Sequence, residues 1–563
     1  MRSTEGAPVS RSGANAAGSG AHGRPVAPPV VWSVAGTDSA GGAGLAADLR
    51  AADAFGVHLC PVVAAVTAQH SQAVTHIEPL SAAMLDAQLR TLAGDMPPRV
   101  IKTGLLGGVA QVRLVAQWVD RLRQAAPVAL VVDPVLGASS GAAFADAPTL
   151  QAYRDELLPR ATVITPNRRE AARLLGQGAS AQVSGADVPA LARALRAAGA
   201  QAVCITGGDD DTAAPWAQDW FDGPHARGWL ALPRVPTPHH HGTGCTFASG
   251  VAAALAMGFV SADAAVLAKM ATTHALRRSH AAGAGAGPVV AGPGFGADAS
   301  LLPQMSWGEA PLAPATTGRA PQRPAMGLYA IVDDACRVVP VLASGVRTLQ
   351  LRIKAPPAPD AHWQARLRQA VEHSVAACRA AGALLFVNDH WRLAIAAGAC
   401  GVHLGQEDLL ALDDAQRAQL RASGLELGVS SHSLWELCRA ASLAPRYIAC
   451  GPVWPTATKQ MPWRAQGLHN LAWWRHMAPA PVVAIGGILD AERAAAAAGT
   501  GVDGVCVVRG LGADPAVSVP RFLRAIASAS GLPPSAPAFP LPSLDPAAAQ
   551  GVVARRSSRS GVG

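Results

Sequence analysis

The feature that most constrains this chain is an alternation of short apolar runs with Ala- and Leu-rich stretches, which occurs in two separate parts of its 563 residues. In the second part the apolar runs can be counted, and there are eight. Helix-like segments separate most of them, which is the pattern of a compact (β/α)₈ barrel. The predicted barrel strands are 328–332, 348–351, 384–387, 401–404, 425–429, 447–450, 482–485 and 504–508.

The first part of the chain shows the same alternation without an eightfold count. Helical patterns such as 82–92 and 188–198 lie between its apolar runs. This arrangement predicts a mainly parallel sheet covered by helices on both faces. The predicted strands are 30–35, 61–67, 100–103, 129–132, 162–165 and 202–206.

The length of the chain exceeds what one hydrophobic core supports, so we expect two α/β domains. Residues 30–290 form the first, an α/β sandwich, and residues 326–530 form the barrel. The segment 291–325 is rich in Pro, Gly, Ala and Thr and is predicted to be a linker. Residues 1–29 and 531–563 have the composition of disordered ends.

The net charge of +8 raises the question of a nucleic-acid partner. No dense Lys/Arg stripe with interleaved aromatics is found, so we favour surface charge together with small anionic substrates. No apolar run approaches the ~20 residues of a membrane span, and the first residues lack a signal-peptide pattern. We therefore expect a cytoplasmic protein without membrane contact, and a homo-oligomer remains open.

The cysteine and lysine residues are distributed unevenly. Nine cysteines are scattered without C-x-x-C spacing, which favours free thiols over disulfides or a zinc site. Lysine occurs only at positions 102, 269, 354 and 459 among 46 basic residues. Either this is chance, or lysine is kept where a compact ammonium charge is needed.

The segment His241-Gly242-Thr243-Gly244-Cys245 precedes an apolar helical run. Glycines let a backbone approach phosphate, and the N-terminus of a helix favours negative charge. A cysteine at this position is expected to have a lowered pKa and to be able to act as a base. The alternatives are an ordinary tight turn and a buried thiol.

Several polar segments accompany this motif, at the ends of predicted strands or after other apolar segments. They are Ala35-Gly36-Thr37-Asp38-Ser39-Ala40-Gly41-Gly42-Ala43-Gly44, Asp48, Gln69, Asp133-Pro134-Val135 and Thr165-Pro166-Asn167-Arg168-Arg169-Glu170. As an ordered set they resemble the hydroxymethylpyrimidine and hydroxymethylpyrimidine-phosphate kinases of the ribokinase-like superfamily. The resemblance implies two ATP-dependent phosphorylations of a pyrimidine alcohol.

The same resemblance implies a role for each matching residue. Asp48 and Gln69 hold the aminopyrimidine, Asn167 and Glu170 organise Mg-ATP, and Cys245 is the base toward the substrate hydroxyl. The amides of Gly242, Thr243 and Gly244 stabilise the transferring phosphoryl group together with that of Cys245. The chain departs from the family at Ser139 and Thr206, where relatives often have lysines near the phosphates.

In the predicted barrel, polar residues cluster at the carboxyl ends of the strands, where such barrels place their active sites. Asp389 and Asp408 suit Mg²⁺ bound jointly with a diphosphate, and Arg352, Lys354 and Lys459 suit the anion itself. Taken singly, Asp389 also fits a helix cap and Asp408 a solvated loop acid.

This half resembles thiamine-phosphate synthase, including the loop Pro455-Thr456-Ala457-Thr458-Lys459-Gln460-Met461-Pro462. The resemblance implies a set of site residues. Gln350, Arg352, Lys354, Asn388 and Lys459 bind the pyrimidine diphosphate, Asp389 and Asp408 its Mg²⁺, Ser430 the pyrimidine, and Thr456, Thr458, Gly487, Val508 and Arg509 the thiazole phosphate. Arg509 is a departure, because relatives usually have serine there.

These observations predict a bifunctional enzyme whose first domain makes the pyrimidine diphosphate that the barrel condenses with thiazole phosphate. The alternative is a ribokinase-like kinase of another small alcohol such as pyridoxal, joined to a catalytically silent ligand-binding or regulatory barrel. Asp48, Gln69 and Cys245 oppose the pyridoxal alternative. Asp389, Asp408 and Lys459 oppose the silent barrel, and Arg509 keeps it open.

Overall fold

The computed structural model describes residues 27–137, 144–178, 183–208, 214–313, 325–456, 462–529 and 536–544. Within these residues, the first half of the chain forms a ten-stranded sheet in the order β10-β9-β8-β7-β6-β5-β4-β1-β2-β3. Its strands are β1 (Val30–Gly36), β2 (His58–His70), β3 (Ala73–Pro79), β4 (Val100–Thr103), β5 (Ala129–Val132), β6 (Val163–Ile164), β7 (Val203–Ile205), β8 (Trp216–Asp222), β9 (Arg227–Pro233) and β10 (Gln304–Met305).

The central strands β1, β2 and β4 to β7 are parallel, whereas β3 and β8 to β10 extend the two edges antiparallel. A parallel core is covered by helices on both faces, which explains why its strands are continuously apolar. The helices are α1 (Gly44–Phe55), α2 (Ala82–Ala93), α3 (Val109–Ala125), α4 (Ala147–Ala152), α5 (Arg168–Leu174), α6 (Val188–Ala197), α7 (Thr243–Ala256) and α8 (Ser261–Arg277).

The second half is a closed barrel of eight parallel strands, in which β11 pairs with β18 to complete the circle. The strands are β11 (Gly327–Val332), β12 (Thr348–Leu351), β13 (Leu384–Asn388), β14 (Gly401–Leu404), β15 (Glu426–Ser431), β16 (Tyr447–Cys450), β17 (Val482–Ala484) and β18 (Gly504–Val507). Helices α9 (Val338–Ala343), α10 (Ala361–Ala380), α11 (Trp391–Ala396), α12 (Gln406–Ala411), α13 (Asp414–Ala422), α14 (Leu434–Ala441), α15 (Gly467–Met477), α16 (Ala491–Ala498) and α17 (Pro515–Ala529) surround it.

The predicted architecture, an α/β sandwich followed by a (β/α)₈ barrel, is confirmed. All eight barrel strands lie within two residues of their predicted bounds. The antiparallel edge strands β3, β8 and β10 were missed because their side chains do not form sustained apolar runs, whereas β9 was missed although it contains one. Strand β8 has the sequence WAQDWFD, and β10 contains only two residues.

The two halves pack against each other through a continuous apolar core. Trp473 of α15 donates its indole N–H to the carbonyl of Gly296 at 2.7 Å, and Trp307 donates to the carbonyl of Arg439 at 3.0 Å. Both contacts join a residue of the predicted linker to a residue of the barrel. The segment 295–305 therefore packs into the fold, with Phe295 and Leu301 buried and β10 in the sheet.

The end of the chain also packs between the halves. Residues 536–544 were predicted to be disordered, and this prediction is wrong for them. Phe539 lies in an aromatic cluster with Phe55, Phe259 and Phe295 of the first half, at centroid distances of 5.6 to 6.1 Å. Apolar aromatic contacts of this kind order an otherwise Pro-rich segment. The exact domain boundaries stay a prediction.

None of the helices in the described part of the chain combines the length and the apolar character that a membrane span requires. All nine cysteines are free thiols.

Candidate active sites

The first candidate site lies where the Gly-rich loop after β1 meets the start of α7. Gly242 precedes this helix with a φ of 87°, and a Cβ atom there would lie 2.2 Å from the carbonyl oxygen of Gly42. Only glycine fits such a close approach at positive φ. The Gly-rich loop after β1 is therefore in contact with the segment predicted to bind phosphate, and the space beside Gly244 is open.

Gln69 is the second predicted residue at this site. Its side-chain amide lies 3.2 Å from Nε2 of His241, which in turn lies 2.9 Å from a carboxylate oxygen of Asp38. Burial raises the pKa of Asp38, but hydrogen bonds from His241 and from the amides of Ala43 and Ala40 outweigh it and hold that pKa below its usual value. His241 was not predicted as a site residue. Its signal in the sequence is its position directly before the glycine motif.

Asp48 occupies a different position from the one expected. Its carboxylate is completely buried and accepts hydrogen bonds from Lys102, Ser33 and Ser249 at 2.6 to 3.0 Å. Lys102 also lies 3.6 Å from Asp133. The predicted direct contact of Asp48 with a pyrimidine does not fit this geometry. We correct its role to that of a buried partner for Lys102.

Cys245 lies at the start of α7 as predicted, but the prediction of a lowered pKa is wrong. Burial raises the pKa of its thiol to about 12, and Asp48 and Asp133 act in the same direction. The nearby Lys102 ammonium and the Gly44 amide act in the opposite direction and do not compensate. The desolvation of a thiolate at this depth exceeds the benefit of the helix N-terminus.

Asn167 and Glu170 form a capping box at the start of α5. Each side chain accepts a hydrogen bond at 2.9 Å from the backbone amide of the other. The capping box by itself accounts for the three-residue spacing of Asn167 and Glu170. A role for these two residues with Mg-ATP therefore stays a prediction. Thr206 follows β7 and bridges to Asn167. Ser139 lies outside the described residues.

The second candidate site is a cavity of about 470 Å³ at the mouth of the barrel. Strand ends on all sides of the barrel contribute to it. Of the residues predicted from the sequence, it is lined by Gln350, Arg352, Lys354, Asn388, Asp389, Asp408, Ser430, Thr456, Gly487, Val508 and Arg509. Thr458 and Lys459 lie outside the described residues.

The floor of this cavity is a fixed polar network. Gln350 donates its amide to the side-chain oxygen of Asn388 at 2.8 Å, and both side chains are buried. Lys354 forms an ion pair with Asp389. Asp389 has a φ of 65°, a left-handed conformation that aspartate tolerates better than most residues. These contacts hold amide, ammonium and carboxylate groups at adjacent strand ends.

Asp389 and Asp408 are close enough to affect each other electrostatically. Burial raises the pKa of Asp408, and the Asp389 charge adds to this increase, although the Gly405 amide opposes it. In the described part of the chain, no group of three His, Cys, Asp or Glu side chains could hold a metal ion. Two neighbouring carboxylates fit Mg²⁺, which is commonly bound by one or two carboxylates plus substrate phosphates.

A chain of buried hydrogen bonds that the sequence did not reveal supports Ser430. The two nitrogens of His403 lie 2.8 Å from the Ser430 hydroxyl and 2.7 Å from the Tyr447 hydroxyl, which is 2.7 Å from that of Tyr329. Burial lowers the pKa of His403 to about 4, so its ring is neutral near pH 7. The ring fixes the Ser430 hydroxyl at the cavity.

Gly487 closes the opposite side of the cavity. Its φ is 74°, and a Cβ atom there would lie 2.5 Å from that of Trp454. The backbone can therefore be approached closely only because this residue is glycine. Val508 and the exposed Arg509 follow the last strand nearby.

An aromatic wall on the β15 side of the cavity was also missed. It consists of His432, Trp435 and Trp463: the His432 ring stacks on Trp463 at 5.3 Å, and Trp463 lies 5.5 Å from Trp435. Glu436 accepts hydrogen bonds from the amide and ring of His432. Tryptophans in a helical pattern are not distinguishable from core residues by sequence alone.

Comparisons with known proteins find matches to both halves of the chain. The phosphomethylpyrimidine kinase model matches residues 38–290, and the thiamine monophosphate synthase model matches residues 328–511. The probable thiamine biosynthetic bifunctional enzyme of Oryza sativa, named as chloroplastic, is 34% identical over 82% of this chain and 81% of its own length. The chain belongs to the family of bifunctional thiamine biosynthetic enzymes.

Relatives of the separate halves lead to the same conclusion for this bifunctional thiamine biosynthetic enzyme. A hydroxymethylpyrimidine/phosphomethylpyrimidine kinase of Synechococcus elongatus is 39% identical over 47% of the chain and 97% of its own length. A thiamine-phosphate synthase of Rhizobium etli is 45% identical over 35% of the chain and 94% of its own length. The predicted bifunctional transferase is confirmed, and it is favoured over the pyridoxal alternative.

Proposed function

We propose that this chain makes thiamine phosphate in two stages. The first domain transfers phosphate from ATP to the alcohol of 4-amino-5-hydroxymethyl-2-methylpyrimidine and then to its monophosphate. The barrel joins the resulting diphosphate to thiazole phosphate and releases pyrophosphate. The observation that carries the proposal is the convergence of predicted residues from successive strand ends on one cavity.

In the barrel, Arg352 and Lys354 supply the positive charge for the diphosphate. Asn388, oriented by Gln350, adds an amide to the same region. Breaking the carbon–oxygen bond sends an electron pair to pyrophosphate, and cations that bind this anion more tightly than the ester favour the step. The thiazole nitrogen then bonds to the pyrimidine methylene carbon, so no protein nucleophile is needed.

Asp389 and Asp408 are proposed to hold Mg²⁺ together with the diphosphate. When bound, the ion would neutralise charge on the leaving pyrophosphate. Ser430, whose hydroxyl is fixed by His403, contacts the pyrimidine. Thr456, Thr458, Gly487, Val508 and Arg509 hold the thiazole phosphate, and Lys459 adds positive charge to the diphosphate.

In the first domain, the glycine motif before α7 is proposed to cradle the transferring phosphoryl group with its backbone amides. Gln69, next to His241, contacts the pyrimidine. Asn167 and Glu170 organise Mg-ATP. Cys245 meets the substrate hydroxyl as a neutral thiol, because its raised pKa opposes the thiolate form.

The test incubates the full chain with the pyrimidine alcohol, ATP, thiazole phosphate and Mg²⁺, and follows both phosphorylated intermediates and thiamine phosphate by chromatography. We expect the monophosphate and diphosphate to form and then to be consumed. Accumulation of the diphosphate without thiamine phosphate would identify a silent barrel. Faster ADP release with pyridoxal than with the pyrimidine alcohol would contradict the proposed kinase substrate.

A further inference from the structure

A turn of the kinase domain lines the cavity of the synthase barrel. Strands β8 and β9 are joined by residues 223–226, and Pro224 and His225 of this turn are among the residues that line the barrel cavity. The His225 ring lies against Trp435 of the aromatic wall, with ring centroids 5.9 Å apart and planes inclined by 40°. One wall of the barrel site is therefore supplied by the other domain.

The turn is held in a defined geometry. The Gly223 amide donates to the carbonyl of Ala226 at 3.0 Å, and the carboxylate of Asp222 pairs with Arg196 and Arg227 at the base of the hairpin. On the barrel side, Arg439 donates to the carbonyl of Arg227 at 3.1 Å. These contacts fix the turn from both domains.

The helix that carries Trp435 is also fixed by the kinase domain. Asp263, in the first turn of α8, accepts a hydrogen bond from the Trp435 amide at 3.1 Å and is buried. A carboxyl oxygen at this position accepts from an amide at the N-terminus of α14 that has no partner within the helix. Two separate kinase elements thus contact Trp435, His225 at its ring and Asp263 at its backbone amide.

This wall adjoins the position proposed for the pyrimidine. Ser430 is the penultimate residue of β15, and the chain continues directly into the segment that contains His432 and Trp435. Gln406 braces this connection by donating to the carbonyls of Ser430 and Glu436. An aromatic wall beside the Ser430 hydroxyl suits a flat aminopyrimidine ring.

The turn lies far from the kinase's own site. Strand β8 is antiparallel to β7, with Asp222 beside Val203 and Trp220 beside Ile205. The turn after Asp222 is therefore at the edge where the parallel strands begin, whereas the kinase site residues follow the ends of those strands. A change in the turn can affect the barrel without affecting phosphoryl transfer.

We propose that His225 is a positioning residue of the synthase reaction, supplied by the kinase domain, which holds Trp435 against the bound pyrimidine diphosphate. The proposal rests on the proposed function of the barrel. It makes the kinase domain a part of the synthase site in addition to the source of its substrate.

The test compares His225→Ala and His225→Phe in the full chain, with the exposed His362 of α10 changed to alanine as a matched control. We expect His225→Ala to raise the KM for the pyrimidine diphosphate about fivefold, the order of one lost aromatic contact, with kcat changed less than twofold. His225→Phe keeps the ring and should stay within about twofold of the wild type. Kinase parameters and the melting temperature should be unchanged in all three variants.

Two results would overturn the proposal: an unchanged KM in His225→Ala, or equal impairment in His225→Phe. A binding titration with hydroxymethylpyrimidine diphosphate alone separates this proposal from the proposed function. If the wild-type chain binds the diphosphate but makes no product, the proposed reaction is wrong, and the Kd of each variant still tests the role of His225.

Discussion

The two halves of the molecule treat their charged residues in opposite ways. In the kinase half, Asp48, Lys102 and Asp133 are buried and contact one another. In the barrel, the side chains of Lys354 and Asp389 keep 54% and 25% exposure at a cavity. The first arrangement uses charge to build the site, and the second keeps charge available for a ligand. Changes in the two clusters should therefore affect different properties.

The largest effect is expected from Lys102→Met. This change leaves the Asp48 and Asp133 carboxylates buried without their ammonium partner, and breaking a buried ion pair costs about 3–5 kcal/mol. Denaturant unfolding of the full chain, followed together with kinase activity, measures the loss. Lys354→Met is the matched comparison, and it should change stability by less than about 1 kcal/mol because its ion pair is exposed. Equal destabilisation by both changes would remove the contrast between the halves.

The second largest effect is expected on the synthase activity of the barrel, from a change at Asp408. Asp408→Asn keeps the acceptor for the Gly405 amide and removes the negative charge proposed to bind Mg²⁺. We expect synthase kcat/KM to fall about 100-fold, equivalent to roughly 2.7 kcal/mol of transition-state stabilisation. Unfolding and kinase activity should not change. Asp413→Asn, the same substitution at an N-cap outside the cavity, is the control. Wild-type synthase rates in Asp408→Asn would refute the metal role.

Asp263 lies at the boundary of the two halves, where its buried carboxyl group makes the stability of the fold depend on pH. Burial raises its pKa to about 8, although the Trp435 and Leu434 amides oppose the shift. The folded state therefore keeps a proton that the unfolded state loses above its ordinary carboxyl pKa. This single group lowers stability by about 1.4 kcal/mol per pH unit as the pH rises from near 4 to near 8.

Asp263→Asn should remove this dependence. The melting temperature of the variant relative to the wild type is expected to increase from pH 5 to pH 8, because only the wild type must take up a proton on folding. Scanning calorimetry at four pH values measures the difference. If the difference in melting temperature between Asp263→Asn and the wild type stays constant across this range, Asp263 does not have a raised pKa in the folded state.

The sequence predicted the barrel site better than the kinase site, for a physical reason. In a (β/α)₈ barrel, the residue after each strand faces the same mouth, so Asn388, Asp389, Asp408 and Ser430 could be placed together from strand counting alone. In the kinase half, Asp48 lies inside a helix, and the sequence does not say whether it faces a ligand or Lys102. That distinction depends on tertiary packing.

Contacts between distant parts of the chain could not be predicted from the sequence, because they also depend on tertiary packing. No pattern near residue 225 indicates that it meets Trp435 across the domain boundary. The lysine bias is an instructive intermediate case. The three lysines in the described residues, Lys102, Lys269 and Lys354, each pair with an aspartate, which fits the expectation that lysine is kept for a point charge.

The smallest effect is expected at Cys245, whose position at the start of α7 was predicted correctly and whose lowered pKa was not. With a pKa near 12, its thiol is neutral at physiological pH and can contribute contacts but little base strength. Cys245→Ser keeps a small hydrogen-bonding group of similar shape and should lower kinase kcat less than about tenfold. Cys204→Ser, a buried cysteine of β7 away from the glycine motif, is the control for a general packing effect.

The pH profile of the kinase separates the two possible roles of Cys245. A neutral thiol predicts that wild type and Cys245→Ser share the same profile between pH 6 and pH 9. If the wild type gains activity with an apparent pKa in this range and the serine variant does not, the thiolate is the base. Substrate binding would then have to lower the thiol pKa by several units, and the Lys102 ammonium is a charge that already acts in this direction. Such a result would make the buried cluster of the kinase half responsive to ligand, as is proposed for the barrel cluster.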